Sequence, residues 1–194
     1  MRGDGDGWVI SEWGSYHWGR HGAAGLLLRA PWHDGTPAVL LQHRAPWSHQ
    51  GGTWGLPGGA RDSHECAERA AVREAFEEAG LTAEEITVID TCVTAEVSGL
   101  GGEEWSYTTV IADAVEMLDT VANRESTELR WVPEWQVPDL PLHPAFAQSW
   151  GQLRTRHPAP PHDDCLWRPH TFKIPEKIPE KIPEKIYAWC TPGR

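Results

Sequence analysis

The sequence predicts one mixed α/β sandwich, a single α+β domain with helices packed on a mixed sheet. Three observations carry that expectation. Short apolar runs of strand length flank a segment with helical periodicity, that segment is marked at both ends, and a second helical pattern closes the apolar part of the chain. The chain has 194 residues, enough for one ordinary domain with extensions. Hydrophobic residues make up 40%, which suits a packed core and not a disordered chain.

Residues 1–20 form a leader rich in Gly, Trp and charge. Asp4-Gly5-Asp6-Gly7 matches the start of a calcium loop, but the later ligands and the terminal Glu are missing, so a flexible leader is expected. The domain proper spans 21–156. Its first apolar run, Gly22 to Arg29, has the length of a buried strand. His33 to Pro37 is a turn, and Ala38 to His43 is the next strand. A loop rich in Gly, Trp and His runs from Ala45 to Gly59. The period then changes: over Ser63 to Ala79, Ala67, Ala70, Ala71, Ala75 and Phe76 fall on one side of a helix. Asp62 and Glu65 have the spacing of a capping pair, and Gly80 is a natural helix terminator. Ile86 to Val97 and Tyr107 to Ala114 read as paired strands across a Gly-rich connection. Glu128 to Val132 is a short strand, and a helix is expected from Pro144 to about Arg156. Beyond that, residues 157–194 form a Pro-rich tail in which Lys-Ile-Pro-Glu occurs three times from Lys173 to Glu184. A proline every fourth residue blocks a regular helix, so an extended or disordered tail is expected.

Composition excludes several functions. The formal net charge is −11, which argues against long nucleic acid as a partner, because phosphate contacts dominate that affinity. A small polyphosphate remains open to such a protein when a divalent cation mediates the contact. The four cysteines, Cys66, Cys92, Cys165 and Cys190, form no CxxC pair and give no reason to posit a disulfide framework. No signal-peptide stretch opens the chain, and the longest apolar run, Ala23 to Leu28, is too short to span a membrane. A cytoplasmic protein without a membrane partner is expected. The twelve tryptophans are scattered without a period, as packing residues would be.

Chemistry concentrates in residues 59–81. Glu74, Glu77 and Glu78 are spaced i, i+3 and i+4, which puts three carboxylates on one face within a single helical turn. Arg73 can reach Glu77 one turn on, yet one cation does not neutralise three acids. A hard divalent cation would do so, although a solvated acidic face is the ordinary alternative. Just before the helix, Leu56-Pro57-Gly58-Gly59 provides glycines that allow close backbone approach to a ligand.

These residues resemble the signature of the Nudix hydrolase superfamily, G-x5-E-x7-R-E-U-x-E-E-x-G-U with U a bulky aliphatic residue. Here Gly59 is followed by Glu65, then by Arg73-Glu74-Ala75-Phe76-Glu77-Glu78-Ala79-Gly80-Leu81. Every fixed position matches, at chance odds on the order of one in a million. Ala75 is the one departure, a small residue where the pattern has a larger one. The resemblance implies a Nudix-type α/β/α sandwich and a cofactor of Mg²⁺ or Mn²⁺. It implies Glu74 and Glu78 as main metal ligands, Glu77 as a further ligand and Gly59 as a carbonyl donor. Arg73 would orient the glutamates, and Glu65 would support the loop and helix. Glu74 is the first choice of general base, with Glu128 as rival.

Outside the signature, Arg44 at the end of the second strand stands where MutT-like relatives hold a phosphate-contacting arginine, with a surface salt bridge as the plain alternative. Glu128 resembles the acid that reaches the metal cluster in that branch, and Glu125 is its alternative. The loop His49 to Trp54, with Trp105 and Tyr107, could border a base pocket, as could His143, while core packing is the plainer role for Trp54. His162, Cys165 and His170 match no usual zinc spacing. The resemblance implies hydrolysis of a diphosphate linkage in a small nucleotide, first a nucleoside triphosphate, oxidised forms included, giving the monophosphate and pyrophosphate. ADP-ribose or a dinucleoside polyphosphate is the alternative substrate, and a non-catalytic binding module is the alternative of another class. Many members dimerise, so a homodimer is compatible with the resemblance.

Overall fold

The structure, a computed structural model, describes residues 3–156. The Lys-Ile-Pro-Glu repeats and the His162, Cys165 and His170 group lie outside the described residues.

The long apolar runs become the centre of a seven-stranded mixed sheet. Strand β3 (Ala23–Pro31) and strand β4 (Pro37–Arg44) are joined by the turn at His33 to Thr36, where Asp34 accepts from the Thr36 N–H and hydroxyl. They pair antiparallel only next to that turn, from Arg29↔Val39 to Pro31↔Pro37, and then diverge. Two short strands absent from the sequence reading take the edges so freed. Strand β5 (Trp54–Gly55) pairs with the end of β4, and β6 (Gly58–Ala60) with the start of β3. The opposite edge of β3 runs parallel to β8 (Glu104–Asp113), which pairs antiparallel with β7 (Thr87–Ser98). Strand β9 (Ser126–Pro133) pairs along the other edge of β4, with a register break at His43/Arg44.

Both faces of this sheet are covered, which is why β3 and β4 read as unbroken apolar runs and not as alternating ones. Leu26, Leu28, Leu40, Val110 and Ala112 pack under helix α1 (Ala67–Ala79) with Ala70, Ala71, Ala75 and Ala79. Their alternates, Leu27, Val39, Leu41 and Ile111, pack under helix α2 (Pro144–Leu153) with Phe146, Trp150 and Leu153. Alanines line the contact face of α1, so its backbone sits close to the sheet and carries Glu78 into a buried position. Ala75, the departure from the signature, is one of these fully buried contacts.

Helix α1 starts later than the sequence suggests. Its first residue is Ala67, after Cys66, and no side chain caps it. Asp62 and Glu65 close a turn ahead of the helix, where the Glu65 carboxylate accepts from the Asp62 N–H. The helix ends as expected: Gly80 adopts φ 72°, and the N–H groups of Gly80 and Leu81 close on Phe76 and Ala75. Cys92 is a buried free thiol.

The leader is also corrected. Strands β1 (Trp8–Ile10) and β2 (Tyr16–Trp18) form an antiparallel hairpin with Val9 buried. It is tied down at both ends: Asp62 accepts from the Gly5 N–H, Asp4 from Ser63, and the Trp18 carbonyl from Trp105 Nε1. These anchors are long-range contacts of single polar groups, which no local pattern announces. Among the described residues no helix is long and apolar enough to cross a membrane.

Candidate active site

The divergence of β3 and β4 leaves a wedge closed by β5, β6 and α1, and the signature side chains meet there. Gly58 and Gly59 on β6 run against β3 so closely that a Cβ on Gly58 would collide with the Ala24 carbonyl oxygen. A Cβ on Gly59 would lie 2.6 Å from Glu74 Oε1. At Gly58 the obstacle is backbone and only glycine fits, whereas a side chain at Gly59 would displace the Glu74 carboxylate; the two glycines give both carboxylates direct access to bare backbone. The Gly58 N–H donates to Glu78 Oε2 at 2.8 Å, and the Glu74 carboxylate lies on Gly59.

Arg73 organises the other side. Its Nε and Nη2 fork onto Glu65 at 2.8 and 3.0 Å, Nη2 also donates to the Ala60 carbonyl at 2.9 Å, and Nη1 reaches Glu74 at 2.7 Å. A longer contact, 3.8 Å, runs to Glu77. Burial pushes Glu65 up, but the guanidinium outweighs it and holds this carboxyl below its ordinary range. The same guanidinium does not suffice for the pair on the inner face. Burial, with Glu77 and Glu125, pushes Glu74 up to about 7 against the pull of Arg73. Burial, with Glu74 and Glu125, pushes Glu78 well above the carboxylate range, with the Gly58 N–H opposing. Two acids are therefore held out of water with too little positive charge.

That donor set fits a hard divalent cation: several carboxylate oxygens, little solvent, and surplus negative charge to be neutralised. A second group of metal-type donors, Asp4, Asp62 and His64, lies within 4.8 Å at the foot of the hairpin. There Asp4 is engaged by Ser63 and Asp62 by Gly5, and Asp4 and His64 are exposed, so nothing calls for a counter-charge. A hollow lined by Arg29, Pro31, Asp113 and Arg156 lies at the far end of β3 and lacks the signature acids.

These residues lie in a stretch that matches the NUDIX domain over residues 19–154. The chain belongs to the NUDIX domain family. It is similar to a Mycobacterium tuberculosis protein named 8-oxo-dGTP diphosphatase 3, at 63% identity over 197 residues, covering 100% of this chain and 87% of that protein. A Bifidobacterium longum nucleoside triphosphate pyrophosphatase/Nudix hydrolase fusion protein is 41% identical over 78% of this chain and 31% of its own length. Among solved structures, the Nudix hydrolase RenU from M. smegmatis superposes with a TM-score of 0.75 at 73% identity, covering 77% of this chain and 93% of that one. A C. elegans Ap4A hydrolase shares the fold, with a TM-score of 0.55 at 22% identity over 69% of this chain and 95% of its own. The protein is thus a Nudix hydrolase, an enzyme acting on a small nucleotide, and the family typically needs a divalent metal.

Residues beyond the signature divide. The Glu128 carboxylate pairs with Arg130 at 2.6 to 2.7 Å, opposite His43 on β4. Residues two apart on a strand share a face, so Arg130 was a ready partner for Glu128. Glu125, in the turn before β9, is the acid close enough to act on both Glu74 and Glu78. Asn123 fixes that turn, accepting from the Glu125 N–H and donating to the Glu77 carbonyl. Arg44 donates through Nε to the His49 carbonyl at 2.9 Å and lies near enough to Glu78 to favour its ionised form.

Of the suggested base-pocket residues, Trp105 and Trp54 are buried in the cores. Tyr107 crosses Gly25, its hydroxyl occupying the space a Cβ would need, and burial pushes its pKa up. His49 and His143 do lie beside Arg44, with ring centres 6.3 Å apart. Burial, with Arg44, lowers both, His143 to about 4, so both rings stay neutral at neutral pH.

Proposed function

We propose that this protein hydrolyses a nucleoside triphosphate, oxidised forms included, to the monophosphate and pyrophosphate with Mg²⁺ or Mn²⁺. The observation that carries the reading is the pair of glutamates, Glu78 buried and Glu74 largely so, laid on the backbone of Gly58 and Gly59 with one guanidinium, Arg73, beside them. The full-length likeness to a protein named as an 8-oxo-dGTP diphosphatase supports the substrate class. A small soluble nucleotide suits a cytoplasmic site of action.

Glu74, Glu77, Glu78 and the Gly59 carbonyl would hold the cation, with Glu125 in place of Glu128 as the acid contributed by the β9 side. The bound cation supplies neutralisation of triphosphate charge and a lowered pKa for the attacking water. Arg73 keeps Glu74 in one orientation, and Glu65 keeps Arg73 there. Glu74 is the assigned general base, a carboxylate that Arg73 holds in one orientation beside the wedge. The water oxygen bonds to phosphorus as the bridging P–O bond breaks, its proton passes to Glu74, and pyrophosphate and monophosphate depart. Arg44, beside Glu78 and clear of the buried core, contacts the phosphate chain.

A panel of nucleoside triphosphates, ADP-ribose and a dinucleoside polyphosphate, each assayed with Mg²⁺ and with products identified, tests this. Pyrophosphate release from a triphosphate is the expected result. Absence of pyrophosphate from every triphosphate would overturn the reading.

A further inference from the structure

The N-terminal hairpin lies before the residues that match the NUDIX domain, which start at 19. It nevertheless reaches the wedge. The Trp8 ring packs edge-on against Trp18 at 5.0 Å and Tyr16 at 6.1 Å, and its centre lies 6.4 Å from His49. His17 on β2 is also near enough to His49 to disfavour its protonation. His49 in turn stands 6.3 Å from His143, and its carbonyl accepts from Arg44. Arg44 acts on Glu78. A continuous line therefore runs from the buried carboxylates through one guanidinium to two imidazoles and an indole.

The hairpin is a rigid support for that indole. Besides the anchors at Gly5 and Trp18, the Glu12 N–H donates to the Ser98 carbonyl and the Leu100 N–H donates to the Ile10 carbonyl, joining the hairpin to the β7–β8 turn. Trp8 remains 38% exposed despite its neighbours, so part of a large flat ring is open beside the site. A phosphate chain held at the glutamates and Arg44 would leave its nucleoside end directed along this line.

We propose that Trp8, with His49 and His143, forms the aromatic face on which the nucleobase of the substrate stacks, so that the hairpin is part of the substrate site. The proposal rests on the nucleoside triphosphate reading above. Stacking on an aromatic side chain is sequence-tolerant and strong enough to govern KM. It acts on ground state and transition state alike, so it changes KM and not kcat.

The test uses the full chain and its Trp8→Ala and Trp8→Phe variants, with Trp13→Ala as a control at the exposed tip of the same hairpin. dGTP is the substrate, and inorganic tripolyphosphate, which has no base, is the competitive inhibitor. Trp8→Ala should raise KM for dGTP about 10-fold or more, with kcat within about twofold and inhibition by tripolyphosphate unchanged. Trp8→Phe should recover most of the loss, and Trp13→Ala should match the wild type. An unchanged KM in Trp8→Ala overturns the proposal. So does equal weakening of dGTP and tripolyphosphate, or a Trp8→Phe variant as impaired as Trp8→Ala, because either result makes the role structural. A wild-type enzyme that releases no pyrophosphate from dGTP overturns the parent reading along with this one.

Discussion

Replacing Glu74 by Gln should stabilise the cation-free protein while it destroys activity. Burial and neighbouring acids hold this carboxyl at about 7 against an ordinary value of 4.5. At pH 8 the ionised form therefore costs the fold about 3 kcal/mol. The sign follows from the raised value: the cost is absent below about 4.5, grows through the interval up to about 7, and is complete above it. Gln keeps the size and one acceptor for Arg73, whose Nη1 lies 2.7 Å away, and the pull of that guanidinium on the charged form is already contained in the value of about 7. The gain is about 3 kcal/mol, or roughly 9 °C in Tm for a domain of this size. Thermal unfolding in a chelating buffer at pH 5 and pH 8 measures it. The variant should melt higher at pH 8 and level with the wild type at pH 5, and Mg²⁺ should raise the Tm of the wild type more than that of the variant. A variant that melts lower than the wild type at pH 8 without cation would refute the reasoning, as would a difference independent of pH.

Glu78→Gln should lower turnover by at least about 100-fold with the fold intact, checked by kcat and circular dichroism. Glu125→Gln should weaken activation by Mg²⁺ by about 10-fold, whereas Glu128→Gln, whose partner is Arg130, should stay within about twofold of wild type in the same titration. Gly59→Ala sets a Cβ 2.6 Å from Glu74 Oε1, so kcat should fall by about 100-fold or more while Tm moves by only a few degrees. Arg73→Lys loses the two-pronged contact with Glu65; it should cost about 2 kcal/mol in urea unfolding and lower kcat without a matching rise in KM.

Where local chemistry dictates structure, the sequence was legible. The strands β3, β4 and β8, buried on both faces, stood out as apolar runs, and Gly80 ended α1 as its left-handed backbone requires. Other elements depended on partners far along the chain. Strands β5 and β6 are two and three residues long and exist because β3 and β4 part company and leave edges to be filled. The hairpin at Trp8–Trp18 looked like a flexible leader because its anchors, Asp62 and Trp105, are distant in sequence.

The same division runs through the site. The spacing of Gly59, Glu65, Arg73, Glu74, Glu77 and Glu78 determined the chemistry by itself, since helical periodicity alone places those carboxylates on one turn beside their arginine. Tertiary structure decided which of them lose their water. Helix α1 lies on alanines, so Glu78 and Glu74 are pressed onto β6 while Glu77 stays exposed. It also set Glu125 near enough to act on both and engaged Glu128 with Arg130, through a strand pairing and an ion pair that a linear pattern does not encode. Whatever lies beyond the phosphates, Trp8 included, is assembled from segments that meet only in the folded chain, because stacking surfaces need proximity and orientation and no fixed spacing.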